Sequence, residues 1–202
     1  MKKYFITGID TNVGKTIISA ILTEKLQADY WKPIQSGDLE NTDSNKIKNL
    51  ISNTKSLIFP ESYRLKTPAS PHYAAELDNK TIDLNKIELP KTNNHLIIEG
   101  AGGIMVPLNQ TTLIIDLIKK LKTEVILVSK NYLGSINHTL LSIEILKYHK
   151  IPIKGLVFSG EGNPSAENFI LQYSGIACLG KVPFIKPLNK QNIKLAGNAI
   201  KL

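Results

Sequence analysis

A short apolar strand near the start of the chain leads into the stretch Gly8-Ile9-Asp10-Thr11-Asn12-Val13-Gly14-Lys15-Thr16, and a helix-forming segment follows it. The backbone N–H groups of such a glycine turn point into one concavity, where they can bind phosphate oxygens. Lys15 is placed to reach the β- and γ-phosphates, and the Thr16 hydroxyl is placed to bind Mg²⁺. The strict pattern has a glycine where this chain has Ile9, and Gly8 stands one place earlier. The Gly-Lys-Thr core and its strand–loop–helix setting still predict a nucleotide phosphate site.

Beyond this loop, short apolar runs alternate with segments of helical length along the whole chain. Apolar residues recur with helical spacing at 16–26 and 135–148, and the strand-like runs lie at residues 4–7, 28–32, 95–99, 124–129, 154–159 and 177–182. Strands that are apolar throughout and are separated by helices are typical of a parallel sheet covered on both faces. With 202 residues, enough for one sizeable core, the chain is predicted to form a single α/β domain, residues 1–202. Its phosphate loop makes that domain P-loop NTPase-like, with a mostly parallel sheet and helices on both faces.

The composition argues against several classes of protein. The chain has 25 basic and 17 acidic residues, but Arg64 is its only arginine, whereas nucleic-acid readers rely on arginine for bidentate contacts. The lone Cys178 excludes an internal disulfide framework and any multi-cysteine metal site, and we expect it to be a buried core thiol. No apolar run approaches membrane-spanning length, and the N-terminal one is cut at Thr7 and Asp10. We therefore expect a cytoplasmic protein without nucleic-acid or membrane partners.

Two carboxylates are candidate Mg²⁺ ligands beside Thr16. Glu99 ends an apolar run directly before Gly100-Ala101-Gly102-Gly103. A side chain at the carboxyl end of a buried parallel strand faces the crevice where ligands bind in such sheets, and the glycines allow a close approach of the backbone. Asp43 is the second candidate, although by itself it fits the N-cap of a helix equally well.

A second lysine follows the second predicted strand, within Tyr30-Trp31-Lys32-Pro33-Ile34-Gln35-Ser36-Gly37. Pro33 restricts the backbone at this point, so we expect Lys32 near the same crevice. A second cation beside the phosphate loop indicates a reaction that carries more negative charge than ATP alone. The polar stretch 35–91 that follows contains Pro60, Pro68, Pro71 and Pro90; we expect long loops and short helices there, either as binding elements or as a plain connector.

In their order along the chain, these motifs resemble those of ATP-dependent dethiobiotin synthases. Residues 8–16 are similar to the family's G-x-D-T-x-V-G-K-T loop, and Asp43 stands where the family has a metal-binding aspartate. The other matches are 32–37 with K-P-x-x-S-G, 70–72 with S-P-H, 99–103 with E-G-A-G-G, 133–138 with L-G-x-I-N-H and 180–183 with G-x-x-P. The resemblance spans nearly the whole chain, from residue 8 to about 185.

The resemblance implies a seven-stranded α/β fold that acts as a homodimer in biotin biosynthesis. The implied substrates are 7,8-diaminopelargonate, CO₂ and MgATP. One amine takes up CO₂ as a carbamate, the carbamate attacks the γ-phosphate to give a carbamic–phosphoric anhydride, and the second amine closes the ureido ring. The products are dethiobiotin, ADP and phosphate, which makes the enzyme an ATP-dependent cyclo-ligase with Mg²⁺ as its cofactor.

The resemblance also assigns residues to roles. Lys15 and Lys32 are the catalytic pair, and the expected metal ligands are Thr16, Asp43 and Glu99. The ATP site is expected to comprise Asn12, Val13, Gly14, Lys15, Thr16, Ile17, Asp43, Glu99, Gly100, Ala101, Gly102, Ser159, Pro183, Phe184 and Ile185. The substrate site is expected to comprise Thr11, Ser36, Gly134, Ser135, Ile136 and Asn137, the last four from the neighbouring subunit. Ser135 is expected to cap the helix that these residues begin, whose N-terminus suits the substrate's distal carboxylate.

The chain departs from the family at the strand over 154–159. Many members end this strand in Asn-Asp, with the asparagine reading adenine, but this chain has Ser159 and Gly160. A serine cannot make the paired contact of an amide, so the selectivity for the base stays open. The tail after Lys186 matches poorly.

Three alternatives stay open at this point. One is a partition-type ATPase that dimerises on ATP and binds DNA, although such ATPases carry an additional lysine early in the loop and residues 8–13 contain none. A second is the synthetase module of a cobyrinate-type amidotransferase, which needs a glutaminase domain that 202 residues do not accommodate. The third is a nucleotide-binding protein without catalysis. Phosphate release with and without the diamine separates them.

Overall fold

The computed structural model describes all residues, 1–202. Its strands are β1 (Lys3–Gly8), β2 (Asp29–Trp31), β3 (Ile34–Ser36), β4 (Ile58–Phe59), β5 (Tyr63–Leu65), β6 (Leu96–Gly103), β7 (Glu124–Lys130), β8 (Ile153–Ser159) and β9 (Cys178–Val182). Its α-helices are α1 (Lys15–Leu26), α2 (Asp43–Leu50), α3 (Pro71–Leu77), α4 (Ile114–Leu121), α5 (Ser135–Tyr148), α6 (Pro164–Ser174) and α7 (Lys190–Ala196). Two short 3₁₀ helices lie at Leu84–Lys86 and Gly197–Ala199.

Seven strands form one sheet in the order β4-β2-β6-β1-β7-β8-β9, and every paired neighbour is parallel. The central strands are nearly apolar because helices cover both of their faces; Phe5, Ile98 and Leu127 are fully buried. The predicted α/β class and its parallel sheet are confirmed. The carboxyl ends of β1, β2 and β6 lie side by side, and this edge of the sheet carries the candidate site.

The polar stretch 35–91 contains the expected loops and short helices, together with a feature that the sequence pattern did not indicate. Strands β3 and β5 form a separate parallel pair, with Ile34 opposite Tyr63 and Ser36 opposite Leu65. This pair and helices α2 and α3 lie beyond the carboxyl end of β2, where they add a wall beside the phosphate loop.

Two expectations about strands are wrong. Strand β6 does not stop before Gly100 but continues to Gly103, because Gly103 pairs with Gly8 of β1 across a register shift. Cys178 is exposed rather than buried. It begins β9, the last strand in the sheet order, and the C-terminal segment covers the outer edge of β9 only from Leu179 onwards, so Cys178 is left at the surface.

A buried carboxylate connects α1 to the loop after α2. Glu24 accepts hydrogen bonds from the backbone N–H and side chain of both Ser52 and Asn53, at 2.5–3.0 Å. Burial by itself raises the pKa of the Glu24 carboxyl, but these hydrogen bonds outweigh it and lower the pKa from 4.5 to about 2. A carboxyl whose pKa is lower in the folded chain stabilises the fold above its unfolded pKa, and this contribution is lost as the pH falls towards the folded one.

We therefore predict that Glu24→Gln lowers the free energy of unfolding at pH 7 by about 2–3 kcal/mol. At pH 3 the difference between variant and native chain should shrink to less than half, because part of the ionisation benefit has already gone. Urea denaturation at both pH values measures it. Glu144→Gln is the matched control, since Glu144 is an exposed helical glutamate paired only with Lys147. A loss independent of pH, or no larger than that of the control, would contradict this assignment.

Candidate active site

The phosphate loop connects β1 to α1 and leaves the first turn of α1 open. Gly14 precedes the helix with φ 96°, a left-handed conformation that glycine adopts without strain. A Cβ at Gly14 would also lie 2.8 Å from the Ser159 hydroxyl oxygen. No side chain caps α1, so its first N–H groups are free to bind phosphate oxygens. The buried Lys15 side chain folds back over the loop, and its Nζ donates to the Asp10 carbonyl at 2.8 Å.

Glu99 connects the loop to the second lysine. Its carboxylate is 1% exposed, and its Oε1 accepts from the Thr16 hydroxyl at 2.8 Å and from Lys32 Nζ at 3.1 Å. Lys32 Nζ also lies 2.6 Å from Asp43 Oδ2. The three residues predicted to bind metal are therefore brought to one place, with Lys32 between the two carboxylates. The other carboxylate oxygen of Glu99, Oε2, accepts from the hydroxyl of buried Tyr30 at 2.8 Å.

Burial and neighbouring charges together set the pKa values of the ionisable groups in this cluster. Burial favours neutral Lys32, but Glu99 and Asp43 outweigh it and raise the pKa of the ammonium group. Burial likewise opposes ionisation of Asp43, and Lys32 outweighs it, so the pKa of that carboxyl is lowered. For Lys15, burial dominates over the attraction of Glu99 and, with the nearby Lys32 charge, lowers the pKa to about 8. Lys32 and Asp43 thus form an ion pair at neutral pH.

A cavity of about 930 Å³ opens over this cluster. Its walls come from the phosphate loop, the ends of β2, β3 and β6, helix α2 and the loop before α3. The Ser36 hydroxyl oxygen is buried at the cavity and has no hydrogen-bond partner in the chain. Such a group is costly unless a ligand or water satisfies it, which supports the expected contact between Ser36 and a substrate.

Twelve of the predicted site residues line the cavity: Thr11, Asn12, Gly14, Lys15, Thr16, Ile17, Lys32, Ser36, Asp43, Glu99, Ala101 and Gly102. Val13 and Gly100 are part of the same backbone segments but are buried behind it. Ser159 lies behind the loop as well, and its hydroxyl donates to the Val13 carbonyl. Pro183, Phe184 and Ile185 follow β9, and the Phe184 ring lies over Gly160, next to Ser159.

The segment 134–137 does not line this cavity within one chain. Helix α5 begins at Ser135 with Gly134 as its N-cap, φ 100°, and no side chain caps it. The prediction of Ser135 as N-cap is wrong by one residue, because a glycine can adopt the left-handed conformation that precedes this helix. Asp43 is not an N-cap either: Thr42 caps α2 and accepts from the Asn45 N–H, which leaves the Asp43 carboxylate for Lys32.

Sequence reasoning missed one residue of the cluster, Tyr30. The sequence pattern places Tyr30 in an apolar strand, where strand alternation gives one signal of its position. Side chains two residues apart in a strand point to the same face, so the strand predicted over 28–32 places Tyr30 on the face of Lys32.

Comparison with known proteins shows which family the chain belongs to. A family model described as "AAA domain" matches residues 2–192. The ATP-dependent dethiobiotin synthetase BioD of Christiangramia forsetii is 54% identical over 90% of this chain and 87% of its own length. The enzyme of the same name from Cytophaga hutchinsonii is 56% identical over 89% of this chain and 87% of its own length. The chain belongs to the ATP-dependent dethiobiotin synthetase family.

Structural similarity reaches beyond the dethiobiotin synthetases to other P-loop proteins. A ParA family ATPase from Chlorobium tepidum has a TM-score of 0.59 at 16% identity, covering 98% of this chain and 90% of its own. The septum site-determining protein MinD from Pyrococcus horikoshii has a TM-score of 0.60 at 14% identity, covering 96% and 86%. At such identities the likeness shows the fold alone. The sequence identity to dethiobiotin synthetases, 54% and 56% for the two enzymes above, separates this chain from the partition ATPases.

None of the helices has the combination of length and hydrophobicity that crossing a membrane would require.

Proposed function

We propose that this chain converts 7,8-diaminopelargonate, CO₂ and ATP into dethiobiotin, ADP and phosphate in biotin biosynthesis. The observation that carries the proposal is the Lys15–Thr16–Glu99–Lys32–Asp43 cluster beneath a single cavity, in a chain that belongs to the dethiobiotin synthetases. The family is one of ATP-dependent ligases, and the cluster supplies the charges that such a reaction needs.

The nucleotide is proposed to bind with its phosphates at the N-terminus of α1. The free N–H groups of residues 12–17 and the positive end of the helix dipole favour an anion there. Lys15 lies in this loop with its ammonium group at the cavity. The backbone of Glu99–Gly102 borders the same region at the end of β6, with Ala101 and Gly102 on the wall.

Magnesium is proposed to bind through Thr16, Asp43 and Glu99. All three offer oxygen atoms, which Mg²⁺ prefers, and all three line one cavity, so the donor set fits this ion. No three His, Cys, Asp or Glu side chains converge on one metal position, so the nucleotide's phosphate oxygens and waters would complete the coordination. When bound, the ion neutralises negative charge on the phosphates.

Lys32 is proposed to neutralise negative charge at the γ-phosphate, where the reaction takes place. A carbamate oxygen must attack the γ-phosphorus while ADP leaves, and both groups are anionic. Phosphoryl transfer of this kind depends on positioning and charge neutralisation, which Lys15 and Lys32, both lining the cavity, would provide. The positive pocket also disfavours the ammonium form of the diamine, so the free amine that captures CO₂ becomes more accessible. The second amine then attacks the carbamoyl carbon, and phosphate leaves.

The diamine is proposed to contact Thr11 and Ser36 in this chain and Gly134–Asn137 of a second copy in a homodimer. The first turn of α5 has no side-chain cap, and the N–H groups of Ile136 and Asn137 have no partner within the chain, so they can bind the substrate's distal carboxylate. Leu133 is fully exposed beside it and Ile136 is partly exposed. Apolar side chains in such positions favour an interface.

The base is proposed to lie against Ser159 and Pro183–Ile185. The Ser159 hydroxyl proton is already used in the hydrogen bond to the Val13 carbonyl, and the exposed Phe184 ring offers a stacking face beside Lys130. Stacking tolerates every base, whereas strong selection requires a side chain built to hydrogen-bond one base edge.

We therefore predict that kcat/KM for ATP, GTP and CTP lies within about tenfold. Steady-state kinetics with each nucleotide at saturating diamine and bicarbonate measures the ratios. Ser159→Ala should leave the ratios unchanged, since the hydroxyl is directed to the loop. A preference for ATP above about 10³-fold would show that other groups read the base.

Phosphate release and dethiobiotin formation, measured with each substrate omitted in turn, test the proposed function. Turnover is expected only when MgATP, bicarbonate and diaminopelargonate are all present. Equal phosphate release without the diamine would support an ATPase switch instead, and ATP binding without any turnover would support the non-catalytic alternative.

A further inference from the structure

We infer that Tyr30 is a positioning residue that fixes the Glu99 carboxylate in the orientation needed for the nucleotide's metal ion. The inference rests on the proposed function in taking Glu99 as a metal ligand. Its basis is the hydrogen bond from the Tyr30 hydroxyl to Glu99 Oε2, 2.8 Å long, between side chains that are 0% and 1% exposed.

The strand register brings these two side chains together. Tyr30 of β2 pairs with Ile97 of β6 in a parallel ladder. Alternate residues of a strand point to the same face, so Glu99, two residues beyond Ile97 on β6, lies on the face that carries Tyr30 and Ile97, and Lys32 follows directly after the end of β2. The tyrosine thus lies one step deeper in the sheet than the lysine and contacts the carboxylate from below.

The two oxygens of Glu99 consequently have different partners. Oε2 is directed inward to Tyr30, whereas Oε1 is directed to Thr16 and Lys32 at the cavity. The terminal torsion of a glutamate is broad, with no staggered minimum to hold it. At this burial, solvent cannot replace the tyrosine hydroxyl as donor to Oε2. The hydroxyl therefore determines which oxygen faces the cavity and at what angle, as partners of metal ligands commonly do.

Tyr30→Phe tests this with little change in packing, because it removes one buried hydroxyl and keeps the ring. Tyr4→Phe is the matched control: Tyr4 is a buried tyrosine of β1, two strands away from Tyr30 in the sheet, and its hydroxyl makes no hydrogen bond to the Glu99 carboxylate. The affinity for Mn²⁺ at saturating ADP, followed by electron paramagnetic resonance, is the first readout. The affinity for ADP without metal is the second.

For Tyr30→Phe we expect Mn²⁺ affinity to fall about tenfold, a typical effect of removing a partner of a metal ligand. Metal-free ADP affinity should change by less than about twofold, and the Tyr4→Phe control should change neither quantity. A merely structural role would weaken both affinities together or neither. Unchanged Mn²⁺ affinity, or an equal loss of metal-free ADP affinity, would overturn the inference.

Glu99→Ala in the same assay separates this inference from the proposed function. If Glu99→Ala leaves Mn²⁺ affinity intact, Glu99 is not a ligand and the inference fails with it. If Mn²⁺ binding depends on both Glu99 and Tyr30 but the native chain makes no dethiobiotin, the proposed function fails and the positioning role stands.

Discussion

Lys32→Ala is expected to lower kcat by about 10²–10³-fold while changing the Kd for ATP by less than about fivefold. Loss of one preorganised charge at a reacting group typically has an effect of this size. The phosphate loop with Lys15 remains to bind the nucleotide, so the loss should fall on the transition state rather than on the ground state. Single-turnover kinetics with the diamine, alongside ATP binding by calorimetry, separates the two quantities.

Lys46→Ala is the matched control for this prediction. Lys46 also pairs with Asp43, at 3.4 Å, but its side chain is 36% exposed and it does not contact Glu99. Exposed ion pairs contribute little, so kcat should stay within about twofold of the native value. If Lys32→Ala instead weakened ATP binding and left kcat unchanged, Lys32 would be a nucleotide anchor and its proposed role would be wrong.

The fold could be predicted because the strongest constraints are local. The stretch from Gly8 to Thr16 requires a strand before it and a helix after it, and continuous apolar runs in the following strands exclude a sheet with one solvated face. Apolar character does not report whether a strand is central or at an edge. For that reason the sequence could not show that Cys178 lies at the exposed start of β9, nor that β3 and β5 form their own pair.

The site was predictable where it depends on strand ends. Carboxyl ends of parallel strands meet at one edge of the sheet, so Lys32 and Glu99 were expected together, and the structure places them 3.1 Å apart. Asp43 was ambiguous, because an aspartate at a helix start serves a cap or a ligand equally well. The observed Thr42 cap shows that Asp43 is not the N-cap, and its carboxylate contacts Lys32 instead.

The hydrogen-bond partners of Tyr30 and Ser159 could not be predicted from the sequence for a related reason. Each depends on which atom of a side chain faces which neighbour, and a pattern of residue types does not contain that information. A tyrosine in an apolar strand is typical of a core, and a serine at a strand end is typical of a solvated site. In the structure, Tyr30 is bonded to a carboxylate of the site, and Ser159 is bonded to the phosphate loop.

The proposed dimer has a consequence that single substitutions cannot test. If each active site combines the phosphate loop of one copy with residues 134–137 of the other, Lys15→Ala and Asn137→Asp disable different halves of the site. Asn137 is exposed in the first turn of α5, where an added carboxylate repels that of the diamine. In a mixture of the two variants, half of the dimers formed by random exchange are mixed, and each mixed dimer has one site with both halves intact.

We therefore predict that each variant alone has less than about a tenth of native activity, and that co-refolding equal amounts restores about a quarter of it. Dethiobiotin formation at low diamine concentration measures the recovery. Lys15→Ala mixed with Lys32→Ala is the control, because both residues belong to the same half and no mixed dimer regains an intact site. Recovery in the control would mean that Lys15 and Lys32 serve different sites. No recovery with Asn137→Asp, although mixed dimers form, would place the whole site within one chain, since a site built from two copies must show complementation.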